Sequence, residues 1–530
     1  MATLDRPRIE QRTPEDLVRD VQRGVVRIPQ FQRGFKWEAG DVVKLFDSIL
    51  RGFPIGNLLL WRRPAPAQTL HVGPLTIEAP ELDSALWVVD GQQRITSLVG
   101  ALCAAHAATD LRFRVHLDLD SGEFHTAGTR QQPPNTWIPV SFLLDTATLL
   151  RWMRENGEWL SDEQLKLADQ AAKAIREYQI PTYVVTTDDE KPLLDIFTRM
   201  NNAGKRLTKA EIFQALHSQT AGDAPMTLAA IGRGPAELGF GALDDQLVLR
   251  CVLAYRGGDI FRTDFEGEFE SAADQAETFR ALAANLRDVV AFLRDVAEIP
   301  HVKLLPYSHV VPVLVRFVRL HGAPEGRAAT LLRRWVWRGA VVGTRARGQS
   351  VADMRGQISA VKRSDPVAAA GALLERVPTD IRFTAELDKV HFNQAMTKIN
   401  VLCLWSAEPR EPTTGIPVDI ARLLDEGNPL RPIFDSTNLA LAGTIANRII
   451  GAASGPASIL RKELAKASPE VAESHLLDKR TQNLLAKPSP AAFLERRADT
   501  LTAAFERHVD RMAEWGARDG RSIADLLRTG

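Results

Sequence analysis

Leu86 to Arg94, LWVVDGQQR, constrain what this chain can fold into more than any other stretch. Leu86 to Val89 is a short apolar run of the kind that forms a buried strand, and Asp90-Gly91 turns sharply out of it. Gln92, Gln93 and Arg94 then open an apolar-periodic helix, ITSLVGALCAAHAA. A carboxylate, two amides and a guanidinium therefore collect at one helix start, where backbone N–H groups and the helix dipole favour an anion. Two readings satisfy these residues: a phosphate or nucleotide site, and a capped turn facing solvent.

At 530 residues the chain is too long for one core, and at roughly 150 residues per domain it divides into about three. With 45% hydrophobic and 25% charged residues it has the composition of a soluble globular protein. Lys+Arg and Asp+Glu balance at 66 each, so any grip on nucleic acid comes from local patches. Cys103, Cys251 and Cys403 lie far apart without metal-ligand spacing, which points to a reducing compartment and away from disulfides and structural zinc. MATLDRPRIEQRTPEDL has no apolar leader region, and no stretch approaches roughly 18 uninterrupted apolar residues. The expected location is the cytoplasm, with no membrane partner.

Upstream, Thr13-Pro14-Glu15-Asp16 starts a helix that ends near Gly24, and VVRIP follows as a short strand. The loop PQFQRGFKW, residues 29–37, is too polar and glycine-marked for core; DVVKLFDSILRG is an amphipathic helix and FPIGNLLLW returns as a strand. Strands alternating with helices point to a small α/β sheet whose ligands sit where strands end and helices begin. Both polar segments fall at such junctions. Farther on, LRFRVHLDLDSGEFHT reads as a hairpin, residues 159–178 as a charged amphipathic helix, and IPTYVVTT as a strand. In IFTRMNNAGKRLTKAEIFQAL, Asn202-Ala203-Gly204 offer a left-handed helix exit and Thr208 with Glu211 a capping box, so Arg199, Asn201, Asn202, Lys205 and Arg206 crowd one corner.

From about 215 to 400 the pattern is nearly all helical. Its densest basic stretch holds Arg333, Arg334, Arg338, Arg345, Arg347, Arg355, Lys362 and Arg363 around Trp335 and Trp337. Arginines interleaved with aromatics suit phosphate contacts and base stacking, which makes Arg334, Arg338, Arg345 and Arg347 candidate DNA-binding residues. A helix with a tryptophan core face and a solvated arginine face fits equally. EPREPTTGIP, residues 408–417, has the composition of a linker, and VDIARLL onward reads as strand, loop, short strand and helix, with helices to the end.

Together PQFQRGFKW, VVDGQQRITSL and FTRMNNAGKRLTKAEI resemble the N-terminal domain of GmrSD-type and SspE-type DNA restriction proteins over roughly residues 10–220. The resemblance implies a ParB/sulfiredoxin-like α/β domain that binds and hydrolyses nucleoside triphosphate, GTP or ATP with Mg²⁺, to regulate DNA recognition or cleavage against phage. It puts Gln32, Arg33, Gly91, Gln92, Asn201 and Gly204 at the nucleotide, with Asp90, Gln93 and Arg94 as catalytic candidates and Asp90 also as the candidate Mg²⁺ ligand. Phosphoryl transfer is helped mainly by positioning and by countering charge on non-bridging oxygens, which such residues can do.

In that family the C-terminal domain is a ββα-metal (HNH) nuclease. Val418-Asp419-Ile420, Ser436 to Leu439 and Asn447 resemble its frame, with Asp419, Asn438 and Asn447 as the degenerate nuclease set. Asp419 stands where the general-base histidine belongs, and an unperturbed carboxylate, pKa about 3.9, is a far weaker base near pH 7; nearby His475 fits either a substitute base, if folding brings it close, or a lone structural histidine on a helix. The expected architecture is thus α+β: a nucleotide-binding domain over 1–215, a helical middle region over 216–405, and a degenerate HNH-like domain with helices over 406–530. The expected function is a nucleotide-hydrolysing, DNA-targeting defence protein of restriction type. An active Mg²⁺-dependent endonuclease and a ParB-like nucleotide-switched regulator are the alternatives. Phage or modified DNA is the expected partner; a protein from the same defence system and a second copy of the chain stay open.

Overall fold

The computed structural model describes residues 8–28, 35, 37–103, 110–128, 133–186, 209–210, 213, 226–262, 265, 268–345, 351–378, 380–387, 389–435, 441–452, 455–487, 490–517 and 519. They form a mixed α+β protein of two compact units, Met1–Asp223 and Ala224–Gly530.

The first unit runs β1 (Arg8–Arg12), α1 (Pro14–Gln22), β2 (Val26–Arg27), α2 (Ala39–Leu50), β3 (Leu58–Ala65), β4 (Gln68–Val72), β5 (Leu75–Ala79), β6 (Leu82–Asp90) and α3 (Gln92–Cys103). It continues through β7 (Val115–Asp118), β8 (Phe124–Thr126), β9 (Trp137–Pro139), α4 (Val140–Leu144), α5 (Thr146–Asn156), α6 (Asp162–Glu177) and β10 (Ile180–Thr186). Five strands make one mixed sheet in the order β1-β10-β3-β6-β2, with β10 parallel to β3 and β6 antiparallel to β3.

Helix α1 starts as its residues dictate. The Thr13 hydroxyl accepts from the Asp16 N–H, the Asp16 carboxylate accepts from the Thr13 N–H, and Pro14 occupies the first turn, where no N–H is missed. The run LLLW in β3 is apolar on both sides because both faces of the sheet are covered. Leu58 and Leu60 join Leu86, Val88 and Val184 in the core shared with helices α1, α2, α3 and α6, while Leu59 and Trp61 join Val185, Trp87 and Val89 in a smaller cluster. At about 1.5–3 kcal/mol per buried aliphatic side chain, these positions pin the register of the sheet centre. Arg27, fully buried in β2, ties the first crossover to the β4–β5 hairpin by donating to the carbonyls of Gly24, Pro66 and Pro80.

Among its described residues the second unit is helical apart from one strand pair. Its helices include α7 (Leu228–Glu237), α8 (Asp245–Arg256), α9 (Ala272–Ala291), α10 (Val310–His321), α11 (Gly326–Arg345), α12 (Val351–Ala360), α13 (Pro366–Leu374), α14 (Ala395–Trp405) and α15 (Ile420–Glu426). Then come β11 (Leu430–Pro432), antiparallel to β12 (Arg448–Ile450), and α16 (Ala457–Lys466), α17 (Pro469–Ser474), α18 (Lys479–Leu484) and α19 (Pro490–Ala513). Helix α11 packs against α13, α14 and α19, so the segments on either side of residue 405 share one core. Trp335 and Trp337 lie inside that core, where the Trp337 Nε1–H donates to the Ala297 carbonyl at 2.9 Å.

The strand expected at Val418-Asp419-Ile420 is a helix start. Asp419 is the N-cap of α15, its carboxylate accepting from the Arg422 N–H at 3.1 Å, and the helix-forming ARLLDE outweighs two β-branched residues. Among the described residues no helix is long and apolar enough to cross a membrane.

Candidate functional site

Strand β6 and helix α3 meet at a single residue, Gly91. Its φ of +100° lies in the region that L side chains rarely adopt, and a Cβ there would come within 2.3 Å of Leu58 Cδ2. Only glycine lets the chain leave the sheet and wind into a helix within one residue. The Gly91 carbonyl accepts from the Ile95 N–H at 2.9 Å, so the helix begins at once behind Asp90, which is still paired with Leu59 of β3.

The turn sets Asp90 and Arg94 one helical turn apart on the same side. Arg94 Nη2 donates to Asp90 Oδ2 at 3.1 Å, and Arg94 Nη1 donates to the Asn57 carbonyl in the turn before β3. Gly56, at φ +90°, makes room for that guanidinium: a Cβ there would stand 2.7 Å from Arg94 Nη1. The pair is open to solvent, with 36% of the Asp90 side chain and 18% of the Arg94 side chain exposed. An arginine has five N–H donors, and among the described residues Asn57 and Asp90 take two of them. A rigid cation at a helix start with donors to spare is chemically suited to the oxygens of a polyphosphate.

Gln93 faces the other side of the same turn, its Oε1 accepting from the Trp37 N–H at 3.1 Å. Arg112 holds the same segment from beyond, donating to the carbonyls of Phe35 at 3.0 Å and Trp37 at 3.4 Å while its guanidinium lies over the Phe35 ring. Hydrogen bonds from Arg112 hold the Asp110 carboxyl below the usual carboxylate range, which fixes Arg112 in place. Gly56, Asn57, Asp110 and Arg112 were not evident as site residues from the sequence. Arg112 sits in the stretch that reads as a plain hairpin, and only the fold brings it 75 residues back to Trp37.

The turn thus brings together Asp90, Gly91, Gln92, Gln93 and Arg94. Gln32, Arg33, Asn201, Gly204, Arg347 and Asn438 lie outside the described residues, as do Lys36 and the corner from Phe197 to Thr208. Arg345 ends α11, and its side chain is also outside the description.

Two candidate DNA contacts are placed where DNA cannot reach them. Arg334 and Arg338 are 7% and 1% exposed. Arg334 pairs with Glu514 and Asp519, and Arg338 with Asp519 and the backbone carbonyls of Ala513 and Glu514. The arginine face of α11 is covered by the chain that follows α19, so these guanidiniums are internal cations.

The described members of the nuclease-like set are likewise engaged in local structure. Asp419 caps α15, and Asn447, 1% exposed, clips its own loop by accepting from the Phe434 N–H and donating to the carbonyls of Phe434 and Ala442. His475, the proposed substitute base, is 2% exposed; burial lowers its pKa to about 4, and its Nε2 meets the Arg410 carbonyl at 2.7 Å. A neutral histidine bonded to a backbone carbonyl is held as a structural strut.

A mixed sheet whose strand β6 feeds a glycine turn and an arginine-bearing helix defines a class of domain, and comparison with known proteins says which family it resembles. Residues 14–218 match the family described as GmrSD restriction endonuclease, N-terminal domain. The amino-terminal region of this chain is thus similar to the N-terminal domain of GmrSD-type restriction proteins. A protein of Methanocaldococcus jannaschii described as uncharacterized is 24% identical over 241 residues, which cover 38% of this chain and 40% of that protein. The chain spans about two fifths of that relative's length.

Proposed function

We propose that this restriction-type protein binds a nucleoside triphosphate, GTP or ATP, at the start of α3, hydrolyses it, and uses the nucleotide state to gate its engagement of DNA in defence against phage. The observation that carries the proposal is the solvent-open Asp90–Arg94 pair, held at 3.1 Å by a glycine turn at a helix N-terminus. In this scheme Arg94 counters charge on the non-bridging oxygens, and the first N–H groups of α3 hold the phosphate chain. Asp90 orients the water that attacks the γ-phosphorus as the bond to the β–γ bridging oxygen breaks, giving the nucleoside diphosphate and inorganic phosphate. Gln93, tied to Trp37, keeps the 35–37 segment close to the reacting end.

A single accessible carboxylate fits the way Mg²⁺ is usually held, by one or two carboxylates with substrate phosphates completing the shell. Asp90 would hold it, and the ion would neutralise phosphate charge. For the second unit we propose contact with DNA or with a partner protein of the same defence system. Asp419, Asn447 and His475 are each engaged in holding the fold, which weighs against strand cleavage by this set.

The test is turnover of four triphosphates, with and without DNA, by the full chain and by Asp90→Ala and Arg94→Ala. Both variants are expected to lose on the order of 100-fold or more in hydrolysis while melting close to the parent, because a solvent-open pair contributes at most about 1 kcal/mol. Unchanged turnover in both refutes the assignment.

A further inference from the structure

Helices α8, α9 and α10 of the second unit pack on one another around a cavity of about 520 Å³. Its wall collects four arginines from three separate segments: Arg256 at the end of α8, Arg316 and Arg319 on α10, and Arg363 beyond α12. Arg256 is neutralised internally, with Glu268 at 2.8 Å, Asp274 at 3.0 Å and the Thr278 hydroxyl at 3.2 Å.

The other three are not. Among the described residues none of Arg316, Arg319 and Arg363 pairs with a carboxylate, and Arg319 lies over the Tyr255 ring at 4.8 Å. The one further acid on the wall, Glu277, also has no ion-pair partner among them. Burial, then the charges of Arg319 and Arg363, push the Arg316 guanidinium below its ordinary pKa. Gathering like charges in a partly buried space is unfavourable, and among the described residues Glu277 is the one carboxylate left on the wall to set against three arginines. An arginine in the last turn of a helix is commonplace because the carbonyl end attracts it, and Arg319 fits that account. Arg316 lies a turn earlier and Arg363 on another segment, so the account does not cover them.

We propose that this cavity is a binding site for a phosphorylated ligand carrying at least two negative charges. Planar guanidiniums converging from different segments match phosphate oxygens better than a lone carboxylate. The volume exceeds what inorganic phosphate needs and falls in the range of small-molecule sites, roughly 300–1,000 Å³. The ring of Tyr255 under Arg319 adds a flat surface suited to a base. Either a free nucleotide or consecutive phosphates of a DNA strand presents this chemistry. The proposal concerns the second unit and does not depend on hydrolysis at α3.

The probes are inorganic pyrophosphate, ATP, GTP and a single-stranded 12-mer, titrated into the full chain and into Arg316→Gln/Arg363→Gln, with NaCl of equal ionic strength as control. Arg94→Ala separates this cavity from the α3 turn. The double variant is expected to lose at least tenfold in affinity for one class of probe, a loss that Arg94→Ala does not reproduce. Without ligand it melts at or above the parent temperature, because repulsion is relieved. Loss confined to pyrophosphate and nucleotides assigns a small phosphorylated molecule, and loss confined to the 12-mer assigns DNA backbone. Should the double variant not fold, Arg363→Gln at its exposed position decides by the same readout. Equal affinity in parent and variant, or no binding by the parent beyond the NaCl control, overturns the proposal.

Discussion

Replacing Gly91 by alanine tests whether the turn between β6 and α3 is built as described. The added methyl faces two separate costs. At φ +100° an L residue sits in sparsely populated backbone space, which costs about 1–3 kcal/mol. The Cβ also lands 2.3 Å from Leu58 Cδ2, so the Leu58 side chain, 1% exposed in the sheet centre, must shift; overpacking of this kind costs about 1–3 kcal/mol. Together they remove roughly 2–6 kcal/mol, which for a unit of this size lowers the melting temperature by roughly 5–20 °C. The assay is thermal unfolding of the full chain with hydrogen exchange read over peptides of β6 and α3, which should exchange faster. Gly40→Ala is the control: it lies in the first turn of α2, and a Cβ there meets nothing within 4 Å, so the change should be neutral or slightly stabilising. Should Gly91→Ala melt within about 1 °C of the parent with unchanged exchange at β6 and α3, the turn is not under the constraint described.

His475 and His508 predict acid sensitivity of the second unit. Burial lowers both to about 4, so the unfolded chain, titrating near 6.5, takes up the proton first. Their contribution is complete above pH 6.5 and falls as pH drops towards 4, amounting to about 2 kcal/mol each by pH 5. Urea midpoints at pH 7 and pH 5 measure it, and His508→Phe should retain part of the loss; a flat profile contradicts the burial. Arg338→Ala should destabilise by roughly 2–4 kcal/mol, because it takes the donor from the carbonyls of Ala513 and Glu514 and leaves the Asp519 carboxylate to Arg334 alone. It should leave the salt dependence of DNA binding unchanged; a flatter slope in a fully folded Arg338→Ala would return that guanidinium to the DNA interface.

The sequence discloses the β6–α3 junction because everything that builds it is local: an apolar run, a glycine that must break it, and charges one helical turn apart. The same locality exposes Thr13 as a cap and the β7–β8 hairpin. Strand β1, RIEQR, escapes notice because it is a charged edge strand with one neighbour, and the β4–β5 hairpin because Gly73-Pro74 looks like open loop. Arg334 and Arg338 mislead for a different reason. Local pattern separates an arginine face from a tryptophan face, and does not disclose that a segment about 180 residues later covers the former. Asp419 misleads because a carboxylate between two apolar residues fits a strand or a helix cap, and the cap hydrogen bond decides.

The most direct test of the nucleotide assignment is where a triphosphate sits. A crystal structure of the full chain with Mg²⁺ and a non-hydrolysable GTP or ATP analogue should place phosphate oxygens within hydrogen-bond distance of Arg94 and the first N–H groups of α3. Phosphates bound elsewhere, with Arg94 still donating only to Asp90 and Asn57, would contradict it.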